Sequence, residues 1–176
     1  YARPPSMPTA AAAFEAAPYP EAKARKDRLR RAIDVLLKNE ARIIEAARED
    51  FGGRGELTTL LGDLVAPLRN LRHALRNVDR WMKPQRRDAG FPWGLLGTRA
   101  YVFHQPLGVV GILAPWNSGV CLSFTPLACA LAAGNRALIK PSELTPRTSS
   151  LVADMVAGAF APDEVDVVQG GPDVAA

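Results

Sequence analysis

The sequence predicts an α/β fold in which an N-terminal helical segment leads into an incomplete parallel sheet of βαβαβ order. Two observations carry that reading. Between residues 29 and 82 apolar residues recur at helical spacing, whereas from Val109 onward short unbroken apolar runs alternate with longer helical stretches. With 176 residues, 48% of them hydrophobic, the chain has the size of one ordinary domain and enough apolar surface for a core.

The segment 1–20 is rich in Pro and Ala, and its stretch 3–20 lacks the basic start and apolar centre of a signal peptide. Leu29, Ile33, Leu36, Leu37, Ile44, Ala47 and Phe51 then form one stripe of an amphipathic helix, which Gly52 and Gly53 stop. Leu57, Leu61, Leu64, Leu68, Leu71, Leu75, Val78 and Met82 mark a second helical region, and Pro67 should kink or split it. Both stripes read as core packing. Residues 98–104 suit a strand, followed by Pro106 and Gly108 as punctuation.

Val109, Val110, Ile112 and Leu113 have the pattern of a parallel strand buried on both faces. A helix over 122–133 closed by Gly134, a strand over 137–139 ending at Lys140, and a helix over 145–160 follow. Thr145 is placed as the N-cap of that last helix, with Pro146 in its first turn. A third strand, 165–168, is closed by Gly170 and Gly171. Such an order is one mononucleotide-binding half of a doubly wound, Rossmann-like sheet. The expected division is a Pro/Ala-rich segment over 1–20, a helical segment over 21–97, a strand over 98–105, and the sheet half over 106–176.

The net charge of +4 comes from two basic clusters, Arg25, Lys26, Arg28, Arg30 and Arg31, then Arg69, Arg72, Arg76, Arg80, Lys83, Arg86 and Arg87. A nucleic-acid partner is not expected, because Glu40, Glu45, Glu49, Glu56 and Asp63 interleave with them and no reading motif is present. No formal charge occurs over 100–135, but Pro106, Pro115 and Pro126, with Asn117 and Ser118, should cut that run into pieces too short for a membrane span. Cys121 and Cys129 have neither metal-ligand spacing nor a disulfide pattern, so no metal is expected and the cytoplasm is the default location. Cys129 reads as a buried structural thiol, and Cys121, near a helix start, lacks a base.

In an open α/β sheet, ligands bind beyond the carboxyl ends of the strands. Pro115, Trp116 and Asn117 follow the first strand, Lys140, Pro141, Ser142 and Glu143 the second, and Gly170, Gly171 and Pro172 the third. Lys140 and Glu143 offer a cation and an acceptor suited to ribose hydroxyls. The carboxylate would repel an additional phosphate on that ribose and the lysine would attract it, which leaves NAD and NADP both open. Asn117 offers an uncharged amide donor of the kind a developing oxyanion needs. The plain alternatives are a surface Lys/Glu pair and a turn asparagine. The G-x-G-x-x-G fingerprint is absent.

The strings PLGVVGILAPWN, PLACALAAGNRALIKPSELTP and VVQGG together resemble the aldehyde dehydrogenase superfamily, and DRWMKPQRR with REDFG is similar to its coniferyl-aldehyde dehydrogenase-like branch. The resemblance implies an NAD(P)-dependent oxidation of an aldehyde to its acid, with the sheet belonging to an NAD(P)-binding domain. It implies Asn117 as oxyanion donor, the backbone of Pro115 and Trp116 along the cofactor, and Lys140, Ser142 and Glu143 at the adenosine ribose. Gly170 and Gly171 would pass close to the adenine. It further implies a homodimer, with the strand near Tyr101 and His104 in an oligomerisation arm. Where the family continues with an aromatic residue and a proline, this sequence has Ser118, Gly119 and Val120, which reshapes the mouth of a substrate tunnel. The family's nucleophilic cysteine and general-base glutamate would lie downstream of residue 176. This chain alone is therefore expected to be inactive, with a non-catalytic nucleotide-binding or dimerisation module as the alternative reading. An acyl-phosphate reductase of the same superfamily is a further rival.

Overall fold

The computed structural model describes residues 6–174, so the first five residues of the Pro/Ala-rich start and the last two residues lie outside the description. The remainder of that start is not irregular, since Ser6–Ala16 forms a helix, α1, which touches the parallel sheet. Where one amphipathic helix was expected there are two, α2 (Ala22–Lys38) and α3 (Glu40–Asp50), separated at Asn39 with φ −110° and ψ 15°. The Asn39 side-chain amide donates to the Val35 carbonyl at 2.8 Å, a local bond that competes with helix continuation. Beyond α3, Gly52 and Gly53 have positive φ, and the Gly53 N–H closes back on the Arg48 carbonyl at 2.9 Å.

The second region is split as Pro67 requires: α4 (Glu56–Thr59), a π-helical turn (Leu60–Val65), then α5 (Ala66–Trp81) with Pro67 in its first turn. Its stripe is buried from Leu64 through Leu68, Leu71 and Val78, but Leu57 and Leu61 are exposed. A short strand absent from the sequence reading, β1 (Gln85–Arg87), pairs antiparallel with β2 (Ala100–Val102). The expected helical stretch 21–97 thus also contributes one strand to a hairpin.

The parallel unit follows as β3 (Val109–Leu113), α6 (Gly119–Ala133), β4 (Arg136–Lys140), α7 (Pro146–Ala159) and β5 (Val165–Val167). The strand order β3-β4-β5 is sequential, and the register aligns Leu113 with Lys140 and Ile139 with Val167, so all three strands end at one edge. Sequential neighbours joined by right-handed crossovers place both α6 and α7 on the same face. That face carries Val110, Ile112, Ala137, Ile139, Val165 and Val167, and all six belong to or pack on the core. On the opposite face Gly111 and Leu113 are exposed, so β3 is not buried on both faces. It is an edge strand of the described sheet, and α1 packs against it.

Helix α6 also corrects the expectation for the uncharged run. Pro126 lies inside it, removing one backbone donor without ending it. By length and composition alone, Trp116–Ala133 could cross a membrane, yet half of it is buried within the protein. Phe124, Leu127 and Leu131 are fully enclosed, which marks α6 as the core helix here. Cys129, expected to be buried, is exposed instead, because it lies on the flank of α6 facing a cavity of about 260 Å³ lined by Trp81, Met82, His104 and Gln105. Cys121 is half-buried, its Sγ 3.7 Å from the Thr125 hydroxyl.

Three arginines of the first basic cluster turn toward the interior, while Arg30 is exposed. Arg25, Arg28 and Arg31 project at three-residue intervals from α2. Arg25, buried, donates to the carbonyls of Ala132 at 3.1 Å and Ala133 at 2.8 Å, at the C-terminus of α6. Gly134, at φ +91°, closes that helix, and a Cβ there would stand 2.8 Å from the Arg25 Cζ. Arg28 and Arg31 grip Glu164, immediately before β5, at 2.9 and 2.8 Å. Burial alone would raise the Glu164 carboxyl, but hydrogen bonds from Arg31 and Arg28 overcome it and hold the group below its ordinary value of 4.5. A depressed folded-state value means this stabilisation is complete above 4.5 and is lost as pH falls below it. Glu164→Ala should therefore cost about 3 kcal/mol at neutral pH, as breaking a largely buried pair does. Urea midpoints of the variant and the parent should converge in acid, and a difference unchanged across pH would refute the pairing.

Candidate functional site

The three loops that leave the carboxyl edge of the sheet hold the residues singled out by the sequence. Pro115 is extended, and Trp116–Ser118 forms a 3₁₀ turn that runs directly into α6. Pro115, Trp116 and Asn117 are all exposed. The Trp116 ring packs 6.2 Å from Phe51, and the Asn117 carbonyl accepts a hydrogen bond from Arg54 at 2.9 Å. The amide side chain of Asn117 thus sits in an exposed turn whose backbone is tied to the end of α3.

At the end of β4, Lys140 Nζ lies 2.7 Å from Glu143 and 3.4 Å from the Pro141 carbonyl. The hydrogen bond from Lys140 lowers the Glu143 carboxyl from its usual value. Ser142 is buried and structural: its hydroxyl accepts from the Leu144 N–H at 3.2 Å, and its carbonyl accepts from the Ser149 hydroxyl at 2.6 Å. Beyond β5, Gly170 and Gly171 face their own chain. Gly170, at φ +153°, has no room for a Cβ against Val174, whereas a Cβ on Gly171 would meet only the carboxylate tip of Asp173, which can turn away.

Sequence reasoning overlooked the residues that hold these loops. Thr145 stands at the N-cap position of α7, but its hydroxyl has no partner and makes no capping bond. The cap comes from Asp50 at the end of α3, whose two oxygens accept from the N–H groups of Arg147 at 3.0 Å and Thr148 at 2.7 Å. Glu49 adds an ion pair to Arg147 at 2.9 Å. The N-terminus of α6 is served in the same manner. Asp63, buried in the π-helical turn, accepts from the Cys121 N–H at 3.1 Å and pairs with Arg54 at 3.2 Å. Burial raises the Asp63 carboxyl above its ordinary value, against the pull of those two partners. A carboxylate at a helix start is the charge the helix dipole favours. The signal available in sequence was Asp63 itself, a lone acid inside a leucine-rich stripe, since such an acid is seldom buried without a partner.

Among the described residues no group of three or more His, Cys, Asp and Glu could hold a metal ion. The edge presents a closed Lys140–Glu143 ion pair and, at the end of the neighbouring strand, the exposed amide residue Asn117. Nucleophile and general base are not among the groups gathered at this edge.

Replacing Asp50 by Ala should remove the cap of α7 and cost about 1–2 kcal/mol. Asp50→Asn, which keeps an acceptor oxygen, should lose less than half as much in a urea titration. Equal losses would mean that charge rather than capping holds the joint.

A model of the Aldehyde dehydrogenase family matches residues 6–176. The coniferyl aldehyde dehydrogenase of Pseudomonas sp. strain HR199 is 46% identical over 152 residues, which are 86% of this chain and 31% of the relative. A 4,4'-diaponeurosporen-aldehyde dehydrogenase of Staphylococcus aureus is 32% identical over 147 residues, 84% of this chain and 31% of that protein. Among solved structures, the substrate-bound state of Staphylococcus aureus AldH superposes with a TM-score of 0.91 at 28% identity, covering 97% of this chain and 36% of that one. The chain spans about a third of the length of the curated relatives it matches.

Proposed function

Because the chain belongs to the aldehyde dehydrogenase family, we propose that its parent protein oxidises an aldehyde to the carboxylic acid with NAD or NADP. The present residues supply the oxyanion donor and one side of the cofactor cleft. The single observation that carries this reading is the arrangement at one sheet edge, where the exposed turn of Asn117 and the Lys140–Glu143 pair end neighbouring strands.

The residues fit a dinucleotide in their chemistry. Lys140 and Glu143, a donor and an acceptor held 2.7 Å apart, would bind the adenosine ribose hydroxyls. Ser142 shapes that loop from within, the Pro115–Trp116 backbone would border the cofactor, and Gly170 and Gly171 would flank its adenine end. When bound, the cofactor accepts the hydride. Asn117 would donate its amide to the oxygen that gains charge as a thiolate adds to the aldehyde, and an uncharged donor holds that charge without a proton transfer. The thiolate and the base that activates water would come from other parts of the parent protein, so this chain by itself turns over no aldehyde.

An aromatic, coniferyl-aldehyde-like substrate is the finer reading, supported by the names of the relatives at 44–46% identity. Of the residues that replace the family's aromatic residue and proline, Gly119 and Val120 are buried at the start of α6 and only Ser118 is partly exposed. A homodimer formed through the β1–β2 hairpin is supported by the exposed apolar residues within and beside it, Phe91, Leu95, Leu96, Phe103 and Leu107, a set that a free surface rarely carries. We assign the protein to the cytoplasm on its two free cysteines, and expect no nucleic-acid partner because acidic residues interleave with its basic clusters.

In the full-length protein, Asn117→Ala should lower kcat about 10²–10³-fold, as removal of one oxyanion donor does. The KM for aldehyde should stay nearly constant, and unchanged kcat would reject the role. Glu143→Gln should shift preference toward NADP, read as the ratio of kcat/KM for the two cofactors; an unmoved ratio would place the ribose elsewhere. Purified residues 1–176 mixed with coniferyl aldehyde and NAD should produce no NADH.

A further inference from the structure

The turn that carries Asn117 is braced by a guanidinium from a different part of the chain. Arg54 follows the Gly52–Gly53 turn, and its side chain is only 14% exposed. It stacks 5.0 Å over the Phe51 ring, pairs with Asp63 at 3.2 Å, and donates to the Asn117 carbonyl at 2.9 Å. The second oxygen of Asp63 accepts from the Cys121 N–H at 3.1 Å. One carboxylate and one guanidinium therefore hold both ends of the stretch 117–121. Asn117 is itself exposed, and what Arg54 grips is its peptide, which sets the point from which the side chain projects.

We propose that Arg54, held by Asp63, is a positioning residue that fixes the peptide of Asn117 and thereby aims its amide at the oxygen of the reacting aldehyde. The proposal rests on the reading of Asn117 as the oxyanion donor. Its physical basis is that an oxyanion donor acts through preorganisation, and a displacement of about 1 Å at the reacting centre can cost roughly 10²-fold in rate. Arg54 is separated from Asn117 by 63 positions and belongs to the helical unit, so it reaches the site only through the fold.

The test uses the full-length enzyme, with the single variants Arg54→Met, Arg54→Lys and Asn117→Ala, and a double variant that joins Arg54→Met to Asn117→Ala. Arg54→Met should lower kcat about 10–100-fold while the aldehyde KM changes little. Backbone amides of residues 115–121 should exchange hydrogen faster in that variant, with those of β4 unaffected. Arg54→Lys keeps a cation on Asp63 but lacks the second arm that reaches Asn117, so it should fold and still lose part of kcat. It carries the comparison if Arg54→Met does not fold. In the Asn117→Ala background the Arg54 change should have no further effect on kcat, because its route of action is gone. Additive losses, or unchanged exchange over 115–121, would overturn the positioning role while leaving the Asn117 reading intact. A silent Asn117→Ala would overturn both.

Discussion

Helix α6 is held at both ends by charges that it does not itself contain. Its residues are nearly all apolar or small, so it has no acidic first turn and no basic last turn. The orphan N–H groups at its start and carbonyls at its end would otherwise be left in partly buried surroundings. Asp63 meets the first set and Arg25 the second, one from the π-helical turn and one from α2. Both charges are of the sign that the helix dipole favours at their respective ends. Because α6 is also the helix on which α2, α5, β3 and β4 pack, these two contacts help to register the N-terminal unit against the sheet.

The same principle recurs at α7, where Asp50 takes the cap that Thr145 leaves unmade. The loops after β3 and β4 are consequently braced from below by the end of α3, by Arg54 and by Asp63, in addition to their own local hydrogen bonds. A site built this way combines exposed functional groups with a fixed backbone, which is what a pre-formed cleft for a dinucleotide and a carbonyl requires. The first basic cluster belongs to the same framework. Three arginines of α2 serve the end of α6 and the start of β5, while Arg69, Arg72, Arg76 and Arg80 remain on the exposed face of α5.

The parallel half was legible in sequence because its signals are local. Gly134 ends α6 by adopting a left-handed conformation, and the apolar runs around Val110 and Ile139 announce strands within a few residues of their true ends. The strand-end residues were legible for the same reason, since they follow those runs directly. What could not be read were contacts across about 60 to 140 positions: Asp63 to Cys121, Asp50 to Thr148, Arg28 to Glu164. Periodicity also misplaced residues whose neighbours are not helical partners. Cys129 sits among alanines and leucines yet faces a cavity, and the apolar stripe of α2 and α3 conceals the break that Asn39 makes. Pro126 misled in the opposite direction, because a helix packed on several sides tolerates the loss of one hydrogen bond.

The long reach of the α2 arginines has a consequence for how the chain is made. Arg25 precedes its acceptor at Ala132 by 107 positions and Arg28 precedes Glu164 by 136. A ribosome adding roughly 5–20 residues per second needs on the order of ten seconds to deliver those acceptors. During that interval the guanidinium groups of Arg25 and Arg28 lack the acceptors they have in the finished fold. Pairing of these arginines therefore comes only after α6 and the start of β5 have been made, so the contacts that tie the two ends of the fold together are among those of longest sequence separation.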